Sequence, residues 1–452
     1  MSSVTPPSSS SLTPPKGATR VRFGVVGLLF FATGINYLDR TNIAMTGTSL
    51  QNDLGISGVQ LGWLLSAFTW SYVIATLPFG LLVDRFGTQK YYAAMVLAFS
   101  AATLIMGFAT PGIVGSTALA FGVLLICRLL IGLSQAATFP AHSKIAAMWL
   151  PPQERARGIG IYSAGQYLFI ALLMPVLTYI MGFAGWPSVF FITGMIGIVI
   201  GLVWWVRYRE PDNQPRANEA ELNYIRYRPN VDAKLAAQDA QPATRAEYLD
   251  YFTHLRFWVL VVAQFAVSSV MYFFLTWFLV YIEQVLDVSR AYLSLLSPFP
   301  YLCAAAGVFF GGTISDLLYK RGLKLVNARK LPIIVGLLVS ALIVFAGALE
   351  STPIALVTLM SVCFFANALS NMCWTVLSDL TPHKLLGTVG GVFNIFSNIP
   401  GIVTPLIFGA AIDAYGNFHM ALYYLGIVSV IAALVMIFGL KDLTKIRLQS
   451  KK

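Results

Sequence analysis

Apolar runs of about 20 residues recur twelve times along this chain, and that recurrence decides what it can fold into. They fall at roughly 22–48, 60–83, 89–110, 115–140, 156–181, 187–206, 255–283, 292–318, 331–349, 354–378, 386–410 and 420–440. A helix of about 20 residues crosses the hydrocarbon core of a bilayer. In lipid each backbone polar group must be paired within the segment, which a helix does by itself. Composition agrees, with 57% hydrophobic and 11% charged residues. Soluble domains carry about 25% charged residues, so a soluble chain this apolar could not cover its surface. The expectation is an all-α membrane protein of twelve transmembrane helices in two six-helix, pseudo-symmetric bundles.

The net charge of +11 is spread unevenly. Arg40 and Arg128 lie inside runs, and Arg290 lies in a loop on the odd-numbered side. The other Lys and Arg, such as Arg85, Lys90, Arg155, Arg157 and those from Lys320 to Lys330 and Lys441 to Lys452, fall in the tails and even-numbered loops. The positive-inside rule then places both termini in the cytoplasm of a multi-pass inner-membrane protein. Charge scattered over short loops also argues against nucleic acid. The expected organisation is a disordered Ser/Pro/Thr-rich tail over 1–20, a bundle over 21–206, a polar cytoplasmic linker over 207–254, a second bundle over 255–440 and a tail over 441–452. No cleavable signal is expected. Cys127, Cys303, Cys363 and Cys373 lie in apolar runs and read as core residues.

A charge at membrane depth costs roughly 2.5–3.5 kcal/mol on insertion scales and marks a site by default. Arg40, its neighbour Asp39, and Arg128 are such charges. Two cations with one acid suggest an anionic ligand and a titratable partner.

The chain also repeats itself. Gly80, Asp84, Arg85 and Gly87 follow the second run, and Gly312, Asp316 and Arg321 follow the eighth. Both copies place Gly four residues before Asp, then basic residues and another Gly. One copy alone would be an ordinary charged turn. Two at matching places read as parallel repeats with a central site, a transporter architecture.

The chain resembles the major facilitator superfamily, whose loop signature is this G-x-x-x-D-R-x-G pattern. Within it, the chain is similar to the anion:cation symporters, above all bacterial sugar-acid carriers for galactonate and glucarate. The resemblance rests on Asn36-Tyr37-Leu38-Asp39-Arg40, Trp70-Ser71-Tyr72, Arg128-x-x-x-Gly132, Phe139-Pro140-Ala141 and Gly165-Gln166-Tyr167. Further matches are Phe273 to Phe278, Ala328-Arg329-Lys330-Leu331-Pro332 and Gly390-Gly391-Val392-Phe393-Asn394. It implies a secondary transporter importing an organic anion by proton symport, acting as a monomer in the lipid bilayer.

By that resemblance Arg40 holds the substrate carboxylate, a task that suits a planar, bidentate guanidinium. Asp39 is the proton site; a structural ion pair is the alternative. Arg128 lies seven residues before Gln135, two turns along one helix face. The family usually has Glu at this second place. An amide takes up no proton near neutral pH, so coupling rests on Asp39, is lost, or uses another cation. The alternative for Arg128 is an interhelical clamp on backbone carbonyls. Tyr37, Tyr72, Gln166, Asn371, Trp374 and Asn394 match the family's sugar-acid contacts, and amides suit hydroxyls as donor and acceptor. Each could instead be interhelical glue or packing. Tyr272, Trp277, Ser397 and Asn398 read as weaker candidates.

His142, His254, His383 and His419 lie at span ends or in loops without metal-ligand spacing, and solvated rings are expected. No Walker motif, nucleophile triad or metal cluster is present, so no cofactor, metal or enzymatic activity is expected. A carrier of tartrate- or phthalate-like acids, or an anion receptor without transport, are the other readings.

Overall fold

A computed structural model describes residues 17–226, 244–286 and 288–443, and every regular element within them is helical. Residues 1–16, 227–243 and 444–452, parts of the expected tails and linker, lie outside the described residues. The first six spans comprise α1 (Val21–Met45) with α2 (Gly47–Leu54), α3 (Gly58–Phe86), α4 (Lys90–Met106) with the short α5 (Pro111–Val114), α6 (Thr117–Gln135) with α7 (Thr138–Trp149), α8 (Pro152–Ala184) and α9 (Pro187–Arg207). Two connecting helices follow, α10 (Glu219–Arg226) and α11 (Arg245–Thr253). The second six spans are α12 (Leu255–Thr276) with α13 (Phe278–Val285), α14 (Arg290–Leu296) with α15 (Pro298–Lys320), α16 (Leu325–Ser340) with a 3₁₀ stretch Ala341–Leu349, α17 (Pro353–Leu369) with α18 (Cys373–Leu380), α19 (Leu386–Asn398) with α20 (Pro400–Tyr415), and α21 (His419–Gly439).

Ten of these stretches are long and apolar enough to cross a membrane. The 29-residue α3 and 17-residue α4 fill the second and third places of the expected twelve. Large apolar side chains cover the outside, among them Ile74, Phe183, Phe309 and Phe438, each about 70% exposed. A soluble surface rarely tolerates such continuous apolar exposure.

Spans one, four, seven and ten all break, at Thr46, at Ala136 and Ala137, at Trp277, and at the 3₁₀ turn Ser370–Met372. Irregular backbone at this depth survives only where protein or a polar cavity surrounds it. The fourth span was expected to stop near residue 140, yet α7 carries it to Trp149. Pro140 sits in the first turn of α7, where its missing N–H costs no helical hydrogen bond. The linker is likewise more ordered than a polar loop. Thr244 and Glu247 form a reciprocal capping box that starts α11.

The packing of the two sets of spans is two-fold. α3 lies against α20, and α15, the counterpart of α3, lies against α8, the counterpart of α20. At the end away from the termini the two sets are joined. Asp413 on α20 accepts from the Gly58 N–H at 2.6 Å and the Val59 N–H at 2.8 Å. Gln284 donates to Gln51 at 2.9 Å. A Cβ on Gly409 would sit 2.3 Å from the Gly58 carbonyl oxygen, so only bare backbone fits between α3 and α20 there. At the termini end, the ion pairs among the described residues stay within one set. Arg22 pairs with Glu154 at 2.7 Å and Glu221 at 3.2 Å. Arg329 bridges Asp316 and Asp379, Lys384 meets Glu247, and Arg256 meets Asp442. One apolar core runs through the joined end across both sets, while a second is confined to the later spans. Among the described residues, the polar ties that join the two sets thus lie at the end away from the termini.

Candidate functional site

Halfway along α1 the charges fall where the sequence placed them, but they divide. Adjacent helical residues point about 100° apart, so Asp39 and Arg40 face different neighbours. Arg40 is 4% exposed and turns toward α3 and α6. Its guanidinium carbon stands 4.6 Å from the Tyr37 ring centroid, 4.7 Å from Phe68 and 5.1 Å from Tyr72. Aromatic faces attract a cation and exclude water from it. Its Nε donates to Gln135 Oε1 at 3.1 Å, and Gln135 Nε2 donates back to the Asn36 carbonyl at 3.3 Å. One guanidinium nitrogen, Nη2, is buried with no partner. An unpaired buried charged donor costs free energy that an incoming carboxylate oxygen would recover.

Asp39 faces α4 and α9 instead. Asn42 Nδ2 donates to its Oδ1 at 3.2 Å and to Thr193 Oγ1 at 2.7 Å. Oδ2 is buried and unpartnered. The nearby Thr103 hydroxyl donates to the Phe99 carbonyl at 3.0 Å.

Arg128 is 1% exposed and makes the carbonyl clamp. Nε reaches Leu64 O at 3.3 Å, Nη1 reaches Asp39 O at 3.3 Å and Nη2 reaches Leu65 O at 3.5 Å. Gly132, one turn on, makes this possible. A Cβ there would lie 2.2 Å from Phe68 O, so only glycine lets α6 come close enough to α3. Gln135 therefore contacts Arg40 rather than Arg128.

The polar wall assembles in part. Gln166 on α8 lines a small cavity of about 20 Å³ with Tyr37, Asn36, Thr33, Thr138 and His142. That is room for about one water. On the opposite wall Tyr272 donates to Asn398 Oδ1 at 2.8 Å, and Asn398 Nδ2 donates to Asn394 Oδ1 at 3.2 Å. Tyr272 also stands beside Thr69 of α3 and within electrostatic reach of Arg40. Trp374 lies edge-on to Phe393 at 4.9 Å and is 38% exposed, with Asn371 exposed nearby. No hydrogen bond among the described residues ties these two to the Arg40 group. Trp277 is fully buried and donates to Pro405 O at 3.2 Å, and Ser397 donates to Phe393 O at 2.6 Å, both in packing positions.

The loop motifs sit at the termini end. Gly87 caps α3 with φ +80°, and Arg85 is exposed beside Phe86. Gly80 and Asp84 fall in the last turns of α3, but their side-chain surroundings lie outside the described residues. In the second copy Gly312 lies in α15, Asp316 pairs with Arg329 at 3.2 Å, and Arg321 caps the helix, exposed.

Two expectations need correction. His142 is not solvated: it is 2% exposed, with Tyr92 hydroxyl 2.7 Å from Nε2 and Thr33 hydroxyl 3.4 Å from Nδ1. Its helix continues past the expected span end, which buries it. Arg22 was missed as a buried charge, at 2% exposure, because Glu221 comes from the linker 199 residues away. Phe68, Asn36 and Thr138 were also unassigned. Asn36 Nδ2 donates to Thr138 Oγ1 at 2.9 Å beneath the Arg40 group. The spacing of 128, 135 and 142, each seven apart, could have pointed to His142.

The family model described as Major Facilitator Superfamily matches residues 29–405. The chain belongs to the major facilitator superfamily. This facilitator is a transporter rather than an enzyme. It is 36% identical to the "Probable galactarate/D-glucarate transporter" of Bacillus subtilis (strain 168), over 94% of this chain and 93% of that one. It is 34% identical to the "D-galactonate transporter" of Escherichia coli O6:H1, over 94% and 97% of the two chains. Among solved structures, the facilitator fold is shared with the inward-open xylose transporter from E. coli, at TM-score 0.69 and 14% identity over 95% and 98% of the chains.

Proposed function

We propose that this transporter imports a sugar acid of the galactarate, glucarate or galactonate class by proton symport. The observation that carries the reading is Arg40: a buried cation in an aromatic cage with one donor unpaired. A carboxylate completes that donor set, and the Tyr37 and Tyr72 rings offer faces to a sugar. Gln166 and Asn394 supply amides for its hydroxyls. The names carried by the relatives support the same substrate class. In this reading the protein sits in the inner membrane as a monomer with both termini cytoplasmic. The joined end then faces the outer side, in keeping with an inward-facing state.

Asp39 is the acid of this proposal. It is held under Arg128, which takes its backbone carbonyl, and has one carboxylate oxygen free. A second reading, carriage without proton coupling, draws on Gln135, an amide on Arg40 where the family resemblance leads one to expect an acid.

The test is exchange of labelled galactarate, glucarate and galactonate in proteoliposomes, with Arg40→Ala beside the wild type. Exchange of at least one acid, lost in Arg40→Ala with the protein still inserted, is expected. Wild-type vesicles that exchange none of the three would overturn the reading. Uptake indifferent to an imposed proton gradient at clamped voltage would favour the second.

A further inference from the structure

A dianion that enters with one proton still carries negative charge, and an inside-negative potential opposes it. Asp39 offers one proton. Resting on the proton-symport reading above, we propose that His142 carries a second proton with a dianionic sugar acid.

The placement comes from the fourth span. Arg128 and Gln135 are seven residues apart on α6, two helical turns along one face, and His142 follows seven residues later on α7, beyond the break at Ala136 and Ala137. All three address α1, at Asp39 O, at Arg40 and Asn36, and at Thr33. His142 thus occupies the rung below the amide. It also lines the small cavity shared with Tyr37 and Gln166, which has room for about one water.

The groups facing the ring are uncharged: the hydroxyls of Thr33 from α1 and Tyr92 from α4, and the edge-on ring of Tyr162 from α8. Formal charges on the surrounding elements are engaged elsewhere or exposed. Arg22, Glu154 and Glu221 pair with one another. Lys144 turns to the Val83 carbonyl, and Arg85 and Lys90 are exposed. Both ring nitrogens are satisfied as the neutral imidazole, one accepting and one donating. The arrangement is that of the proton-released state.

Protonation makes both nitrogens donors. The Tyr92 hydroxyl must then accept from Nε2 and turn its own hydrogen to Thr138, which stands beside it. Thr138 already accepts from Asn36, Asn36 O accepts from Gln135, and Gln135 accepts from Arg40. A change at the imidazole is passed link by link to the anion anchor. The proton binds from the outer solution and leaves to the inner one, so no redox partner is required.

The experiment uses the full chain in proteoliposomes with labelled glucarate, an imposed proton gradient and voltage clamped by valinomycin and potassium. Wild-type uptake should be indifferent to an inside-negative voltage. His142→Gln should lose about tenfold of its uptake under that voltage, while glucarate exchange continues. Tyr92→Phe, which keeps the imidazole and removes the relaying hydroxyl, should become voltage-opposed as well. Voltage-indifferent uptake in His142→Gln overturns the proposal, as does wild-type uptake opposed by voltage. Loss of exchange in both variants marks a packing role and overturns it too. Wild-type vesicles without glucarate exchange defeat the sugar-diacid reading itself. Exchange with uptake blind to the proton gradient defeats the proton role and leaves the carrier standing.

Discussion

The two walls of the site are built from different chemistry. The wall from the first six spans holds Arg40, Arg128 and Asp39, clamped by carbonyls, amides and aromatic faces. The wall from the second six holds Tyr272, Asn398, Asn394 and Trp374, all neutral. In a low-dielectric interior a charge interacts far more strongly than a neutral hydrogen bond. On the reading proposed above, one wall governs whether an anion binds and what travels with it, and the other helps to choose which anion.

The largest break in that contrast is Arg40→Ala. Removing one partner of a buried charge pair costs roughly 2–5 kcal/mol, so binding of galactarate or glucarate to purified protein should fall by that amount in calorimetry. Arg40→Lys keeps the charge without the fork and should still lose most uptake.

Asp39→Asn comes next. It should remove the share of proton-driven accumulation that Asp39 carries, leaving at most the share that travels on His142, while exchange persists. With the acid loaded from outside, wild-type accumulation rises as external pH falls. An Asp39→Asn variant that accumulates as steeply with the gradient as wild type would move coupling off Asp39.

Gln135→Glu sharpens the contrast by adding an acid on Arg40. Above the new group's pKa its carboxylate pairs with Arg40 and competes with substrate. Below it, the neutral acid resembles the amide. Binding in the variant should therefore fall more steeply than wild type as pH rises, read by titrating affinity across pH.

The neutral amides carry smaller effects. Gln166→Ala and Asn394→Ala should each cost about 1–3 kcal/mol toward polyhydroxy acids and little toward a short monocarboxylate. Tyr272→Phe should cost about 0.5–1.5 kcal/mol, since only one neutral hydrogen bond is lost. Equal losses for every anion would mean that Gln166, Asn394 and Tyr272 only pack.

The twelve spans were legible because apolar length is a local property. Arg40, Tyr37 and Tyr72 were legible through a charge and its neighbours in one or two spans. Asp39 was legible as a buried acid but not in its direction, because which side of α1 meets α4 and α9 depends on packing. His142 was misread because the fourth span was expected to end near residue 140, whereas α7 carries it to Trp149. Tyr272 and Asn398 were underrated since their link spans 126 residues. Arg22 was invisible for the same reason, its partner arriving from the linker.

The bare contact of Gly58 with Gly409 bears on how long each state lasts. Helices that meet through backbone alone have no side chains to interlock, so they can separate without waiting for rotamers to clear. Dwell time at the joined end then rests on the apolar core shared by both sets and on polar ties such as Asp413 on Gly58 and Val59. A single methyl at Gly409 would act as a wedge. Each tenfold change it makes in the occupancy of the joined state corresponds to about 1.4 kcal/mol.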